Sequence, residues 1–331
     1  MTTDLPELPA RLDRLTSDLA VFSATRTDLR CLLLIDPLLD KGMVDIIQQQ
    51  TGQAVPMHIV PCAALKKEAA LCPKLFELQA DRHADLIAQA IRYSLHEQDP
   101  QQRSLSTGMS VCGVLFSRRG GIETAHHLAR QTAVYNPVTR QPSFLGFFDR
   151  RVLPQLLDVC EPAQWNQLLG PIEHWFFIDR DNEWVRRSHL LATMQAGANQ
   201  GSPGPSTNEV VSKLRVGPVT FTSRQWHKLE QIEWISQLTD LWLEESATLP
   251  TDFVRRIWQL LDQATHYGMT QKKDAVAFVL HGLRLGTAFH LHPGLSKVLA
   301  AVAQGASYAR ESSKLSESDW RALTGQTQPC K

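Results

Sequence analysis

The pattern of hydrophobic and polar positions divides the chain into two parts of different character. Between residues 31 and 186, short continuous apolar runs alternate with amphipathic segments, which is typical of buried strands that alternate with helices. This part predicts an α/β domain with a mixed sheet of about five strands flanked by helices. Beyond residue 216 only helical spacing is found, and it predicts a smaller, all-α C-terminal lobe.

Turn-forming residues bound the predicted strands. The first begins at Cys31 and ends at Asp36-Pro37. Residues 132–136 and 143–148 flank a proline-rich turn and are predicted to pair as a hairpin. Residues 65–78 have helical spacing and are predicted to form a helix. The remaining strands are predicted over 54–61, 109–117 and 172–184.

The clearest break in the pattern lies between the two parts. Residues 196–207 contain glycine, serine and proline but no large apolar residue, which is the composition of a flexible linker. We expect the two ends of the chain to be less ordered than its middle. The predicted divisions are a lead-in with a short helix at 1–30, the α/β domain at 31–190, the linker at 191–215, the helical lobe at 216–306 and a loose polar tail at 307–331.

Composition narrows the classes of function. The 331 residues include 34 lysines and arginines and 34 aspartates and glutamates, whereas nucleic-acid-binding proteins usually show a basic excess. No window approaches the roughly 20 apolar residues that cross a bilayer, and the N-terminus lacks the pattern of a secretory signal. We therefore expect a cytoplasmic protein with no nucleic-acid partner and no membrane insertion.

Metal and cofactor sites are not expected from the motifs. The six cysteines have no metal-binding or disulfide spacing. The adjacent His126 and His127 would point about 100° apart on a helix, and His290 and His292 have no third ligand nearby. The turn at 118–121 matches neither phosphate-binding glycine pattern. We predict no metal and no cofactor.

One charged group has two interpretations. Asp149, Arg150 and Arg151 directly follow a strongly apolar, aromatic run. Asp149 could act as a general base held by Arg151. It could equally cap the helix that follows and stabilise its first turn by about 1 kcal/mol. The residues alone favour the cap.

The order of short motifs along the chain resembles the type VI secretion effector chaperones, also called adaptors of the Tap or Tec family. Their N-terminal domain carries a Leu-x-Asp strand end, an apolar-Pro-x-Leu segment, an aromatic-aromatic-Asp junction and a Gly-Pro-x-x-x-Trp strand. The matching residues here are Asp36, Pro73, Leu75, Phe147, Phe148, Asp149, Arg151, Val152, Gly170, Pro171 and Trp175. The helical lobe matches that family's second pattern at Tyr267, Gly268, Phe278, Gly286, Phe289, His292 and Pro293.

This chain departs from the family pattern at two positions of the junction. The family's arginine before the aromatic pair is Gly146 here, and its proline after the aspartate is Arg150. Any role of that arginine therefore does not carry over. The turn after Asp149 must also form without the fixed φ angle of proline.

The resemblance implies a non-enzymatic adaptor in the cytoplasm of a Gram-negative bacterium. It would bind a toxin effector and help load it onto the VgrG spike, without being secreted itself. The motif residues would then serve structure or client binding. Two alternatives remain open: a hydrolase-type enzyme that uses Asp149 and Arg151 with Glu173 or His174, and a scaffold that binds the spike alone.

Overall fold

The computed structural model describes two compact units. They divide the chain into Met1–Leu229 and Glu230–Lys331, and the division falls within one long helix. The predicted linker lies outside the described residues. The structure describes residues 8–52, 54–65, 68–98, 109–179, 183–189, 217–246, 249–250 and 252–325.

The first unit contains eight described strands. They are β1 Arg30–Ile35, β2 Met57–Ile59, β3 Lys74–Leu78, β4 Val111–Ser117, β5 Ala133–Asn136, β6 Gln141–Phe144, β7 Ile172–Ile178 and β8 Trp184–Ser188. Six of them form one sheet in the order β2-β3-β1-β4-β7-β8, and β5 and β6 form a separate hairpin. Every neighbouring pair in the large sheet is antiparallel.

Helices complete the first unit and make up the second. Those of the first unit are α1 Leu8–Thr25, α2 Gly42–Thr51, α3 Ala84–His96, α4 Gly121–Thr132, α5 Leu153–Val159 and α6 Pro162–Leu169. Helix α7, Ser223–Glu245, contains the division between the units. The second unit continues with α8 Phe253–His266, α9 Lys272–Leu285, α10 Ser296–Ala303, α11 Tyr308–Ser312 and α12 Glu317–Gly325.

The predicted fold class is confirmed, with two differences in the sheet. It has six strands rather than about five, and its neighbours are antiparallel where a mixed sheet was predicted. Residues 74–78, predicted as part of a helix, form β3, because they pair with β1 on one side and β2 on the other. Strand β8 escaped prediction as a separate element because it carries two adjacent arginines.

The two ends of the chain are more ordered than their polar composition predicts. Helix α1 has 18 residues and places Leu15 and Leu19 in the core beneath the sheet. At the other end, Tyr308 is fully buried and begins α11, which α12 follows. The short helix predicted within residues 1–30 is present as α1, whereas the tail, predicted to be loose, contains α11 and α12.

The predicted hairpin is present, with its second strand at Gln141–Phe144 rather than at 143–148. Strands β5 and β6 pair through Ala133 with Phe144 and through Tyr135 with Pro142. Its turn includes Arg140, which has a φ of 58°, as hairpin turns require at one of their positions. The hairpin extends directly from the end of α4.

Candidate functional site

Two carboxylates from distant parts of the chain, Asp36 and Asp149, interact electrostatically near the carboxyl end of β1. Asp36 follows β1 and is buried, while its Oδ1 accepts a hydrogen bond from the N–H of Leu38 (3.0 Å). Burial raises the pKa of Asp36 to about 6; the Leu38 N–H and the Arg151 guanidinium oppose this rise, and the Asp149 carboxylate adds to it. We call Asp36, Asp149 and Arg151 the junction cluster.

Asp149 is held by the residue two positions later. Its Oδ1 accepts hydrogen bonds from the Arg151 backbone N–H (2.8 Å) and Nε (3.0 Å), and its Oδ2 accepts from the Arg151 guanidinium at 2.5 Å. Helix α5 begins at Leu153 and has no side-chain cap. The prediction that Asp149 caps this helix is therefore wrong: its side chain closes the preceding turn.

Arg150 is the most deeply buried charged group of the junction. Its guanidinium donates to Glu97 Oε2 (2.6 Å), to the Ser94 carbonyl (3.0 Å) and to the Ile178 carbonyl (3.2 Å). Glu97 Oε1 accepts from both the N–H and the hydroxyl of Ser110 at 2.5 Å. Burial raises the pKa of Glu97, and the charge of Arg150 and the Ser110 donors oppose that rise.

This buried pair was not predicted from the sequence. Arg150 stood out only as a departure from the family's proline, and Glu97 lies 53 residues earlier in the chain. The pair ties the end of α3 to the turn before α5. The replacement of proline therefore comes with a buried ionic contact that fixes the same turn.

The aromatic motif residues of the first unit lie in its core. The Trp175 ring packs edge-on against Phe147, with 6.1 Å between centroids, and its indole N–H donates to the Cys112 carbonyl (3.1 Å). Gly113 leaves the space that this indole fills, because a Cβ there would lie 2.8 Å from Trp175 Nε1. Strand β4 and the tryptophan of the Gly-Pro-x-x-x-Trp motif are thus two sides of one contact.

Gly170 and Pro171 shape the connection from α6 to β7. Gly170 has a φ of 56°, and a Cβ there would overlap the ring of His127. His127 Nε2 lies 2.9 Å from the Leu168 carbonyl, and burial lowers the pKa of this imidazole. The Pro171 carbonyl accepts from the N–H of Arg118 (3.1 Å). These motif residues hold α4, α6 and β7 together.

Pro73 sets the start of β3. Its carbonyl accepts the N–H of Val60 at 2.8 Å, which closes the β2–β3 pair. Proline at the first position of a strand removes no ladder donor that is needed further along. Because Ile35 pairs with Lys74 in the antiparallel β1–β3 ladder, Pro73 lies at the end of β1 beside Asp36 of the junction cluster.

The motif residues of the second unit form an aromatic cluster. Phe278 packs against Tyr267, Phe289 and Tyr308, with centroids 6.1, 4.9 and 5.3 Å apart. Gly268 follows α8 with a φ of 80°, as is common where a helix ends. Packing explains the aromatic motif positions, and the change of chain direction after α8 explains Gly268.

The second pair of candidate catalytic residues belongs to an ionic network. Glu173 Oε2 accepts from Arg26 at 2.5 Å, and its other oxygen is paired with Arg118. His174 Nδ1 lies 2.9 Å from the Ser188 hydroxyl. Burial and the charge of Arg26 lower the pKa of His174 to about 4, so this imidazole is neutral at pH 7.

An exposed aromatic surface adjoins the junction cluster. Tyr135 and Phe144 are 50% and 46% exposed, and their cross-strand partners Pro142 and Ala133 are exposed on the same side. Phe144 contacts Phe148, which directly precedes Asp149, with 6.3 Å between ring centroids. We call Ala133, Tyr135, Pro142 and Phe144 the hairpin face.

A cleft of about 940 Å³ lies at the opposite end of β1. Its charged lining includes Arg26, Arg30, Glu77, Asp81 and Arg82, among several alanines. The motif residues do not line it. Two of its arginines have acidic neighbours, since Arg26 is paired with Asp28 and Glu173 and Arg30 lies 3.8 Å from Glu77.

Neither a metal site nor a membrane span is found among the described residues. In the ranges listed above, no group of three or more His, Cys, Asp or Glu side chains is placed to hold a metal ion. No helix in the described part of the chain is long and apolar enough to cross a membrane.

The raised pKa of Asp36 predicts a pH dependence of stability. Because the folded state binds this proton more tightly than the unfolded chain, its stabilising effect is complete below about pH 4 and is lost as the pH rises through about 6. We expect Asp36→Asn to flatten the stability profile over this range and to raise the free energy of unfolding at pH 7 by about 2 kcal/mol. Urea denaturation at several pH values measures this effect.

The control for this experiment is Asp85→Asn. Asp85 lies in the exposed first turn of α3, so the same chemical change there should alter the free energy of unfolding by less than about 1 kcal/mol. Equal profiles for wild type and Asp36→Asn would show that Asp36 titrates in the ordinary range of a carboxyl group.

Comparison with known proteins gives a family for part of the chain. Residues 31–167 match the sequence model of DUF4123, described as a domain of unknown function. Searches of curated proteins and of solved structures gave no match. The matched region runs from β1 into α6 and includes the junction cluster, the Arg150–Glu97 pair and the hairpin face. Residues 31–167 of the first unit are therefore similar to the DUF4123 domain.

Proposed function

We propose that this protein is a cytoplasmic adaptor that binds a toxin effector of a type VI secretion system and helps load it onto the VgrG spike. The motif resemblance spans both units, and the DUF4123 match covers most of its N-terminal part. The cytoplasmic location, the toxin and the spike protein are all parts of this proposal.

The observation that carries the proposal is the hairpin face. Tyrosine and phenylalanine side chains that are half exposed on a rigid strand pair are typical anchors of protein interfaces, because they bury a large area at little cost in side-chain entropy. The opposite side of the hairpin is buried at Val134 and Asn136, and the Leu145 N–H closes its base by donating to the Thr132 carbonyl (2.8 Å). It therefore offers a client protein a preorganised aromatic surface.

The candidate catalytic residues support an adaptor better than a hydrolase. A general base needs an acceptor atom that can reach a substrate proton. Both oxygens of Asp149 accept hydrogen bonds from Arg151, and both oxygens of Glu173 face arginines. Both carboxylates are therefore held in salt bridges within the fold.

The proposal is tested by measuring client binding to a variant of the hairpin face. The toxin and spike proteins that co-purify with the tagged chain in its native bacterium are identified, produced separately and titrated by calorimetry. We expect Tyr135→Ser/Phe144→Ser to weaken toxin binding by about 100-fold, since two interface anchors are lost. The thermal midpoint should fall by only a few degrees, because both side chains are exposed.

The matched control is Val21→Ser. Val21 is 62% exposed on α1, so this change removes exposed apolar surface elsewhere on the same unit and should leave toxin affinity within twofold of wild type. Unchanged toxin binding by the hairpin variant would refute the role of the hairpin face. The absence of any toxin or VgrG partner would refute the adaptor proposal itself.

The same purified toxin and spike proteins distinguish an adaptor from a spike scaffold and from an enzyme. A scaffold of the spike would bind VgrG with no toxin present. For an adaptor, Asp149→Ala should reduce fold stability and client binding together, because it breaks the turn that positions the junction. An enzyme would keep its fold in this variant and lose turnover.

A further inference from the structure

Residues 217–221 lie against the first unit in the manner of a bound peptide. They precede α7, and their burial alternates: Val219 and Phe221 are buried, whereas Pro218 and Thr220 are exposed. Alternation with a period of two is the pattern of an extended chain that rests on a surface. The surface is formed by α4 and α6.

Gln131 bonds this segment as a neighbouring strand would. Its Nε2 donates to the Gly217 carbonyl (3.1 Å), and its Oε1 accepts from the N–H of Val219 (2.9 Å). In a parallel β-ladder, one residue contributes this same donor and acceptor pair to positions i and i+2 of the next strand. Gln131 lies in the last turn of α4 and is only 2% exposed, so its amide is committed to this contact.

Two glutamines of α6 bond the same backbone from the other side. Gln167 Nε2 donates to the carbonyls of Gly217 (2.9 Å) and Pro218 (3.2 Å). Gln164 Nε2 donates to the Thr220 carbonyl (2.6 Å). All of these contacts are made to main-chain atoms, so they recognise an extended backbone rather than a particular sequence.

The buried side chains supply the specificity. Val219 is completely buried, and Phe221 is 6% exposed and packs edge-on against Trp226 at 6.5 Å. Main-chain hydrogen bonds combined with pockets for alternate side chains are how proteins recognise extended peptides. The groove thus suits an aliphatic residue followed, two positions later, by an aromatic residue.

The groove is held together by contacts that do not involve its occupant. His127 of α4 lies 2.9 Å from the Leu168 carbonyl at the end of α6, and the ring fits over Gly170. His127 therefore fixes the spacing of the two helices independently of the segment, whereas Trp226, which packs against Phe221, comes from α7 directly after it.

We propose that the α4–α6 groove is a peptide-binding site. Residues 217–221 fill it within the same chain, and an extended segment of a partner protein with an aliphatic-x-aromatic pattern takes their place when they are released. The partner is an extended protein segment, because the contacts of residues 217–221 show which backbone hydrogen bonds and which two side-chain pockets the groove offers.

The test uses the full chain and a defined probe. The probe is a fluorescein-labelled synthetic peptide with the sequence of residues 216–222. The receptor is the full chain with Val219→Asp and Phe221→Ser, which expels the resident segment. By fluorescence anisotropy we expect this receptor to bind the peptide at least 10-fold more tightly than wild type does.

Two controls define the site. Adding Gln131→Met to the released receptor should reduce peptide affinity at least 10-fold, since one paired donor and acceptor are lost. A peptide with the same composition but a scrambled order should bind neither protein. Equal binding by the released receptor and wild type, or equal binding of the scrambled peptide, would overturn the proposal.

A second measurement covers the case in which the released receptor fails to fold. In the wild-type chain, hydrogen exchange of the Val219 amide should be at least 100-fold slower than in the free peptide, because Gln131 bonds it in a buried position. Gln131→Met should remove most of this protection. An unprotected Val219 amide would overturn the proposal. Neither experiment uses a toxin or spike protein, so the outcome is independent of the adaptor function.

Discussion

Replacing Arg150 with methionine should lower the free energy of unfolding by about 3–5 kcal/mol, which is the usual effect of removing one partner from a buried ion pair. The side chains of Arg150 and Glu97 are 1% and 2% exposed. The variant leaves the Glu97 carboxylate buried with donors from Ser110 but without a cation. Methionine fills much of the volume of the arginine stem, so the loss reflects charge rather than a cavity. Urea denaturation at pH 7 measures it.

The neighbouring arginine provides a matched control. Arg151 is paired with Asp149, but its side chain is 27% exposed, so water can replace part of the interaction. Arg151→Met should therefore cost about 1 kcal/mol or less. The double variant Arg150→Met/Glu97→Gln should recover a large part of the Arg150→Met loss, because the buried charge is gone and the glutamine oxygen still accepts from Ser110. A loss below 1 kcal/mol for Arg150→Met alone would contradict the role of the pair.

This pair also shows where prediction from the sequence ends. The apolar run before Asp149 predicted a buried segment, and Phe147 and Phe148 are indeed buried. This apolar run could not show that Arg150 is buried, because its partner Glu97 lies at the end of α3, far away in the sequence. A departure from a family motif can therefore mark a residue with a new buried contact.

Local patterns predicted the local structures. The hairpin at β5 and β6 followed from its turn residues, and the buried strand β4 followed from its continuous apolar run. Strand β3 was mistaken for a helix because apolar positions at 71, 75 and 78 fit a helical period. Its pairing with β1 and β2 prevailed over that spacing. The peptide groove had no sequence signal, since glutamines at 131, 164 and 167 follow no recognisable spacing.

The positions that carry the family resemblance differ from those that carry the proposed binding. Trp175, Phe147 and Phe289 are buried in the two units, so their motifs describe the scaffold. Tyr135 and Phe144 are exposed and lie outside every motif. An adaptor that shares its fold with relatives but binds its own client would have buried motif residues and exposed client-binding residues outside the motifs. The Tyr135→Ser/Phe144→Ser variant tests whether the exposed residues bind the client.

Replacing Gly113 with alanine should destabilise the first unit by about 4 kcal/mol, because two independent strains act at one position. Gly113 lies in β4 with a φ of 134°, a conformation that L residues rarely adopt, and a Cβ there would lie 2.3 Å from the Phe176 carbonyl oxygen. That atom belongs to the neighbouring strand β7 and cannot move without breaking the ladder. Trp175 Nε1, at 2.8 Å from the same point, would also be pushed away from the Cys112 carbonyl.

Tryptophan fluorescence during urea denaturation reports both effects. The midpoint should shift to lower urea, and the emission of the folded variant should change because the Trp175 indole loses its hydrogen bond to Cys112. Gly120→Ala is the control: Gly120 has a φ of −66° and nothing within 4 Å of its added Cβ, so it should change stability by less than about 1 kcal/mol. If both alanine variants unfolded at the same urea concentration, the close packing of Trp175 over β4 would have to be rejected, and with it the structural reading of the Gly-Pro-x-x-x-Trp motif.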